Sequence, residues 1–196
     1  IAHVRGPRNL NARAPRWYTG EELERLYATE LTIPKCTTPA DADMHRQFRW
    51  TWQLLANTGL RRGEALHLRW DNVDQERITI QSDTEARTKS GKWRVLPVTR
   101  GAAEALDALK RPGHSHVLPQ LNPVSITRAF SRTLTRADLD GSLHSLRHTY
   151  CAHLVQRGLP LRYVQVLAGH SSVTTTERYA HLAPDALRAG ILDLDL

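Results

Sequence analysis

Apolar residues recur at helical spacing along most of this 196-residue chain. Leu23, Leu26 and Tyr27 share one helical face. Thr19-Gly20-Glu21-Glu22 opens that helix as a capping box, in which the Thr19 hydroxyl accepts from the Glu22 N–H and the Glu22 carboxylate reaches back. Residues 31–41, with Pro34, Pro39 and several threonines, read as a loop. A longer helix is predicted from about Ala42 to Asn57, with Trp50, Leu54 and Leu55 facing inward. Thr58-Gly59 breaks it, and Gly63–Trp70 reads as a short further helix. The pattern then switches to alternation. Arg77-Ile78-Thr79-Ile80 and Trp93-Arg94-Val95-Leu96-Pro97-Val98 read as strands around the polar turn Thr88-Lys89-Ser90-Gly91-Lys92, which predicts an antiparallel hairpin or a three-stranded sheet.

Helical spacing then resumes. Thr99 can cap 101–110, and Asn122-Pro123 opens 123–137 as an N-cap followed by proline at the first helical position. Ser142 can cap 143–157, with Gly158 where a terminating glycine belongs. Pro160 opens 160–168, Ser171 or Ser172 caps 173–180, and Pro184 starts a last helix, Asp185–Leu192. The fold class expected is mainly α with a small antiparallel β-sheet (α+β).

Hydrophobic residues make up 40% of the chain, enough for a core and too many for a disordered chain. No run approaches the roughly 18 apolar residues of a membrane span, and no apolar segment opens the chain as a leader would. Cys36 and Cys151 are too few for a disulfide framework and fit a reducing, cytoplasmic setting. The net charge is +7, and lysine stands only at 35, 89, 92 and 110, so 23 of the 27 cations are arginines. Arginine forks bind phosphate bidentately and stay charged, so the balance favours a polyanionic partner, most simply nucleic acid. Arginine in place of lysine on an ordinary soluble surface would look the same.

Three familiar chemistries are excluded. His144 and His148 have the spacing of zinc-binding histidines on a helix, but Ser145 stands where a zinc protease needs glutamate. Ser90-Gly91-Lys92 lacks the preceding glycine of a phosphate-binding loop, since position 86 is alanine. Gly141-Ser142 lacks the flanking glycines of a nucleophile elbow. What remains is a set of polar side chains at element ends. Arg61 follows a helix break, and Glu64 lies three residues on, able to hold its fork. Lys89 sits at the tip of the predicted hairpin. His144 and Arg147 share a helix face, His170 follows Gly169 at a turn, and Tyr179 ends a polar helix.

These stretches resemble the tyrosine recombinase (phage integrase) family. Thr58-Gly59-Leu60-Arg61-Arg62-Gly63-Glu64-Ala65-Leu66 resembles its first arginine box, and Thr88-Lys89-Ser90-Gly91-Lys92 with Arg94-Val95-Leu96-Pro97 its hairpin-lysine segment. His144-Ser145-Leu146-Arg147-His148 resembles its His-x-x-Arg box. Leu167-Ala168-Gly169-His170 with Thr175-Thr176-Glu177-Arg178-Tyr179 resembles its last box. The four fall in family order over nearly the whole chain.

The resemblance implies a tyrosine recombinase catalytic-domain-like fold and an enzyme that cuts DNA by tyrosine attack on a phosphodiester. It implies a 3′-phosphotyrosine intermediate and no metal, ATP or other cofactor. Tyr179 is then the nucleophile, Arg61 and Arg147 the phosphate-binding cations, and His170 a further donor. Lys89 is the general acid, with Lys92 as competitor, and His144 the base or proton relay. Glu64 orients Arg61 or a histidine. His148 and His153 are assigned to packing or backbone hydrogen bonding, and Trp50, Trp52 and Trp70 to the core. Arg62, Arg69, Arg87, Lys92 and Arg94 are candidate contacts to the DNA backbone.

The expected organisation is a basic arm or interdomain linker over 1–16, a catalytic domain over 17–182, and a C-terminal helix or tail over 183–196. The arm carries Arg5, Arg8, Arg13 and Arg16 and no acid, and family members usually hold a clamp domain ahead of it. The tail, with Leu187, Ile191, Leu192, Leu194 and Leu196, is expected either to dock on a neighbouring protomer or to fold back. The partner expected is double-stranded DNA, bound by a homo-oligomer (tetramer), with a nucleoid-associated location. Two other readings share the sequence: a type IB topoisomerase-like relaxing enzyme, and a catalytically silent DNA-binding or assembly module.

Overall fold

A computed structural model describes residues 15–29, 39–81, 93–119 and 121–183, with the backbone alone over 39–46. Residues 1–14 of the expected 1–16 arm, the hairpin tip with Arg87, Lys89 and Lys92, and the tail from 184 lie outside the described residues.

Helix α1, Gly20–Ala28, starts at the expected capping box, with Glu22 N–H on Thr19 Oγ1 and Thr19 N–H on Glu22 Oε2. Helix α2 runs Pro39–Thr58, three residues longer at its start than expected. Pro39 takes the first helical position, where a missing N–H costs nothing, rather than marking a loop. Helix α3 is only Arg62–Leu66. The expected continuation to Trp70 fails because tertiary partners take the backbone: Val117 N–H bonds Leu68 O at 2.9 Å and Trp70 N–H bonds Ser115 O at 3.0 Å. A 3₁₀ turn over Trp70–Asn72 leads to β1, Arg77–Ile80, which pairs antiparallel with β2, Arg94–Pro97. The described sheet has two strands, with Ile78 opposite Leu96 and Ile80 opposite Arg94.

Four more helices follow the sheet. They are α4, Arg100–Leu109; α5, Pro123–Ala137; α6, Leu143–Gln156; and α7, Leu161–Ala168. Each starts where the caps predict, with Thr99 Oγ1 accepting from Ala102 N–H and Asn122 Oδ1 from Val124 and Ser125 N–H. The expected helix over 173–180 is instead a single turn, α8, Thr174–Glu177, then a 3₁₀ turn over Ala180–Leu182, with Tyr179 between them.

Two apolar clusters hold the fold. In the larger, Trp52 of α2 stacks on Phe48 and meets Phe130 of α5 edge-on at 4.8 Å. Trp50 and Trp70 pack at its margin, so all three tryptophans serve the core, as expected. The smaller cluster joins Tyr150, Cys151 and Val155 of α6, Val164 and Ala168 of α7, and Tyr179. Helix α6 lies between the clusters and is buried on several faces, with polar Ser145, Arg147 and Thr149 among its buried residues. That position carries Arg147 into the interior. Among the described residues no helix is long and apolar enough to cross a membrane.

Candidate active site

The site is built around the end of α7. Gly169 closes that helix in the left-handed conformation (φ +67°), and His170 N–H caps it on Gln165 O at 3.0 Å. Three consecutive carbonyls there each receive a different arginine. Leu167 O accepts from Arg94 Nε at 3.0 Å, Ala168 O from Arg147, and Gly169 O from Arg61 at 2.6 Å. A helix C-terminus carries partial negative charge, so it is a natural platform for cations.

Arg147, 3% exposed, spans two helix ends, because its other donor bonds Gly59 O just beyond α2 at 2.6 Å. Gly59 is left-handed (φ +62°), and a Cβ there would lie 2.4 Å from Tyr150 Cδ1, so only glycine fits. Arg61, at the N-cap of α3, leaves 41% of its side chain exposed. Glu64, three residues on, has a buried carboxylate that four N–H groups satisfy. Oε1 accepts from Arg61 at 2.8 Å and Arg94 at 2.9 Å, and Oε2 from the Arg61 backbone and Arg94, both at 2.8 Å. Burial alone would raise the pKa of Glu64, but Arg94's hydrogen bonds and charge outweigh it, with help from Arg61, and hold it at about 2. Burial, and then the charge of Arg61, pull Arg147 down to about 10, still cationic at neutral pH.

Three imidazoles line the same region. His170 Nδ1 meets the buried Thr176 hydroxyl at 2.9 Å; with that hydroxyl donating, Nε2 is the nitrogen that carries the proton. His144 and His148 stand edge to face, 4.6 Å between centroids. His148 Nδ1 bonds the Tyr179 hydroxyl. Burial and then nearby cations push all three below the usual histidine range. His148 falls to about 4, with His144 also acting on it, and His170 to about 3, through Arg147 and Arg61. His148 and His170 are neutral at pH 7. Tyr179 is 1% exposed, and burial drives its phenol well above the usual range, with Cys151 adding to the effect.

The described candidates thus converge: Arg61, Glu64, His144, Arg147, His170 and Tyr179 form one neighbourhood. Lys89, Arg87 and Lys92 are outside the described residues. Two positions differ from expectation. Arg94, expected on the DNA backbone, is 9% exposed at its side chain and is committed to Glu64 and Leu167 O. The alternation of β2 signals this, since Arg94 shares a strand face with Leu96, which is fully buried. His148, expected in packing, holds the phenol instead of His144. His153 does bond backbone, at Tyr18 O. Arg62 is exposed and reaches Thr127 Oγ1 of α5 at 3.1 Å, while Arg69 pairs with Asp71. No group of three His, Cys, Asp or Glu residues is placed to hold a metal among the described residues.

The sequence profile of the phage integrase family matches residues 16–185. The chain belongs to that family. It is 34% identical to tyrosine recombinase XerD of Mycobacterium tuberculosis, over 96% of this chain and 63% of the relative. It is 32% identical to tyrosine recombinase XerC of Chlamydia caviae, over 92% of this chain and 58% of the relative. The chain therefore spans somewhat under two thirds of the curated relatives it matches. Among solved structures, the catalytic domain of bacteriophage HP1 integrase superposes with a TM-score of 0.65 at 25% identity, covering 93% of this chain and 96% of that one. XerA recombinase superposes at 0.67 and 24% identity, covering 96% of this chain and 68% of that one. The fold is that of tyrosine recombinase catalytic domains.

Proposed function

We propose that this chain cuts and rejoins duplex DNA in site-specific recombination, through a covalent bond between Tyr179 and the 3′ phosphate. One observation carries the reading: Arg147 and Arg61 are anchored on adjacent carbonyls, Ala168 O and Gly169 O, with the His170 turn immediately after them. Two guanidinium groups and a His170 Nε2–H suit a phosphodiester whose negative charge grows during attack.

In the reaction the Tyr179 oxygen bonds the phosphorus and the bond to the 5′ oxygen breaks. The phenol proton passes to His148, which is neutral and already bonded to it. The leaving 5′ oxygen takes a proton from Lys89, the acid that the family resemblance assigns. Rejoining reverses these steps, with the bond energy held in the phosphotyrosine. The chain's own cations supply the charge stabilisation, so no metal or nucleotide cofactor enters a step. Tyr179 is buried, so the short α8 and the 3₁₀ turn flanking it must shift before the phenol meets DNA. Arg62 and the exposed N-terminal face of α5, with Thr127 and Arg128, would take backbone phosphates. Four copies on two paired sites would complete strand exchange.

The test is a nicked suicide substrate on which the cleaved strand cannot religate. Wild type is expected to give a protein–DNA band on a denaturing gel, and Tyr179→Phe none. A band that persists in Tyr179→Phe overturns the assignment of the nucleophile, and no band from wild type overturns the activity.

A further inference from the structure

Arg61 has a problem that the phosphate role makes acute. Its guanidinium lies 2.8 Å from a buried carboxylate, and a lone Glu64 would cancel the charge that a phosphate needs. Arg94 lies on the same carboxylate through two N–H groups, at 2.8 and 2.9 Å. The trio of Arg61, Glu64 and Arg94 therefore keeps one net positive charge.

We propose that Arg94 is a positioning residue whose work is to act as the counter-ion of Glu64, so that Arg61 is oriented by that carboxylate without being neutralised by it. The inference rests on reading Arg61 as a phosphate-binding cation. The geometry divides the two arginines clearly. Arg94 takes both carboxylate oxygens in a fork-to-fork pair and is 9% exposed, which suits a permanent partner. Arg61 takes one oxygen with its side chain and is 41% exposed, which suits a cation that must also bind something else. The Leu167 carbonyl fixes the third side of Arg94. Gly169 leaves room for it, since a Cβ at 169 would lie 2.9 Å from an Arg94 terminal nitrogen. The glycine before His170 thus serves the turn and the arginine together. Arg94 also ties β2, the strand that follows the segment containing Lys89, to α3 and α7.

Removing Arg94 leaves Glu64 buried against Arg61 alone. Arg61 would then be drawn into the pair and its charge cancelled. Removing the Glu64 charge as well should release it. Inorganic sulfate is a probe that needs no turnover, titrated while the Arg61 Nε–Hε signal is followed by NMR and assigned with Arg61→Lys. Arg94→Gln is expected to weaken sulfate about tenfold, the scale of one charge-assisted hydrogen bond. Arg94→Lys, which keeps the charge, should lose less. Arg94→Gln with Glu64→Gln should recover to within about threefold of wild type. Unchanged affinity in Arg94→Gln, a double variant as weak as the single, or no saturable shift at Arg61 in wild type would each overturn the proposal.

A second arm reads adduct formation. With an ordinary phosphodiester, Arg94→Gln should slow the adduct by at least about tenfold. With a methylphosphonate at the scissile position, which lacks the charged nonbridging oxygen, the deficit should shrink. An equal deficit on both substrates would mark a structural role only and overturn the proposal. If wild type forms no adduct, the recombinase reading fails, while the sulfate arm still decides the role of Arg94.

Discussion

Tyr179 meets two demands with one side chain. Its ring fills the smaller core beside Cys151 and Val155, and its hydroxyl bonds His148. The bond puts an acceptor in place for the phenol proton, since the imidazole is neutral at pH 7; with the imidazole held low and the phenol high, the proton leaves only as the Tyr179 oxygen bonds phosphorus. Asparagine at 148 should therefore lower the single-turnover adduct rate by about 10²-fold or more, the range of a positioned acid or base. Asparagine at 144 should cost clearly less. A larger loss at 144 would mean that the observed phenol contact is not the one used in cleavage. The sequence could bring both histidines forward but could not rank them. His144 and His148 are one helical turn apart and face the same way, and the small rotation that settles which meets the phenol comes from how α6 packs on α7 and on the 3₁₀ turn over Ala180–Leu182.

At the level of elements, helix ends do the organising. The carbonyl just beyond α2 and the last carbonyl of α7 hold Arg147 between them, so the relative placement of two helices becomes the placement of one guanidinium. Gly59 shows how tightly this is drawn. Alanine there combines a left-handed backbone with overlap against Tyr150, and should destabilise the fold by about 2–4 kcal/mol in urea unfolding. It should also slow the adduct, since the Gly59 carbonyl would move. Gly63 is the contrast: it lies inside α3 and a Cβ there meets nothing within 4 Å. Alanine at 63 should leave stability unchanged or raise it by up to about 1 kcal/mol. Element starts were legible because caps are local, as at Thr19, Thr99 and Asn122. The end of α3 was not, because the Leu68 and Trp70 backbone groups are claimed by residues 115–117, more than forty positions away.

The molecule as a whole gathers cations and neutral imidazoles around one buried carboxylate, and this shapes its response to acid. His148 and His170 bind protons near pH 6.5 when unfolded but only near 4 and 3 when folded. The unfolded chain takes up protons first, so stability is full above about pH 6.5 and declines as pH falls towards 4. Glu64 adds a second loss lower down, because its folded value of about 2 lies below its ordinary 4.5. Urea midpoints measured from pH 7.5 to 4.5 should fall steadily, and His170→Asn should flatten the slope; a pH-independent midpoint would contradict this account. The order of the helices, their caps, the family boxes and the excess of arginine follow from residues near one another in the chain, since capping, periodicity and charge are local properties. The shared carboxylate between Arg61 and Arg94, the phenol on His148 and the three arginines on successive carbonyls join positions up to 108 residues apart. Those contacts exist because burying Glu64 and Arg147 demands a partner for every polar group, and only the packed chain can supply it.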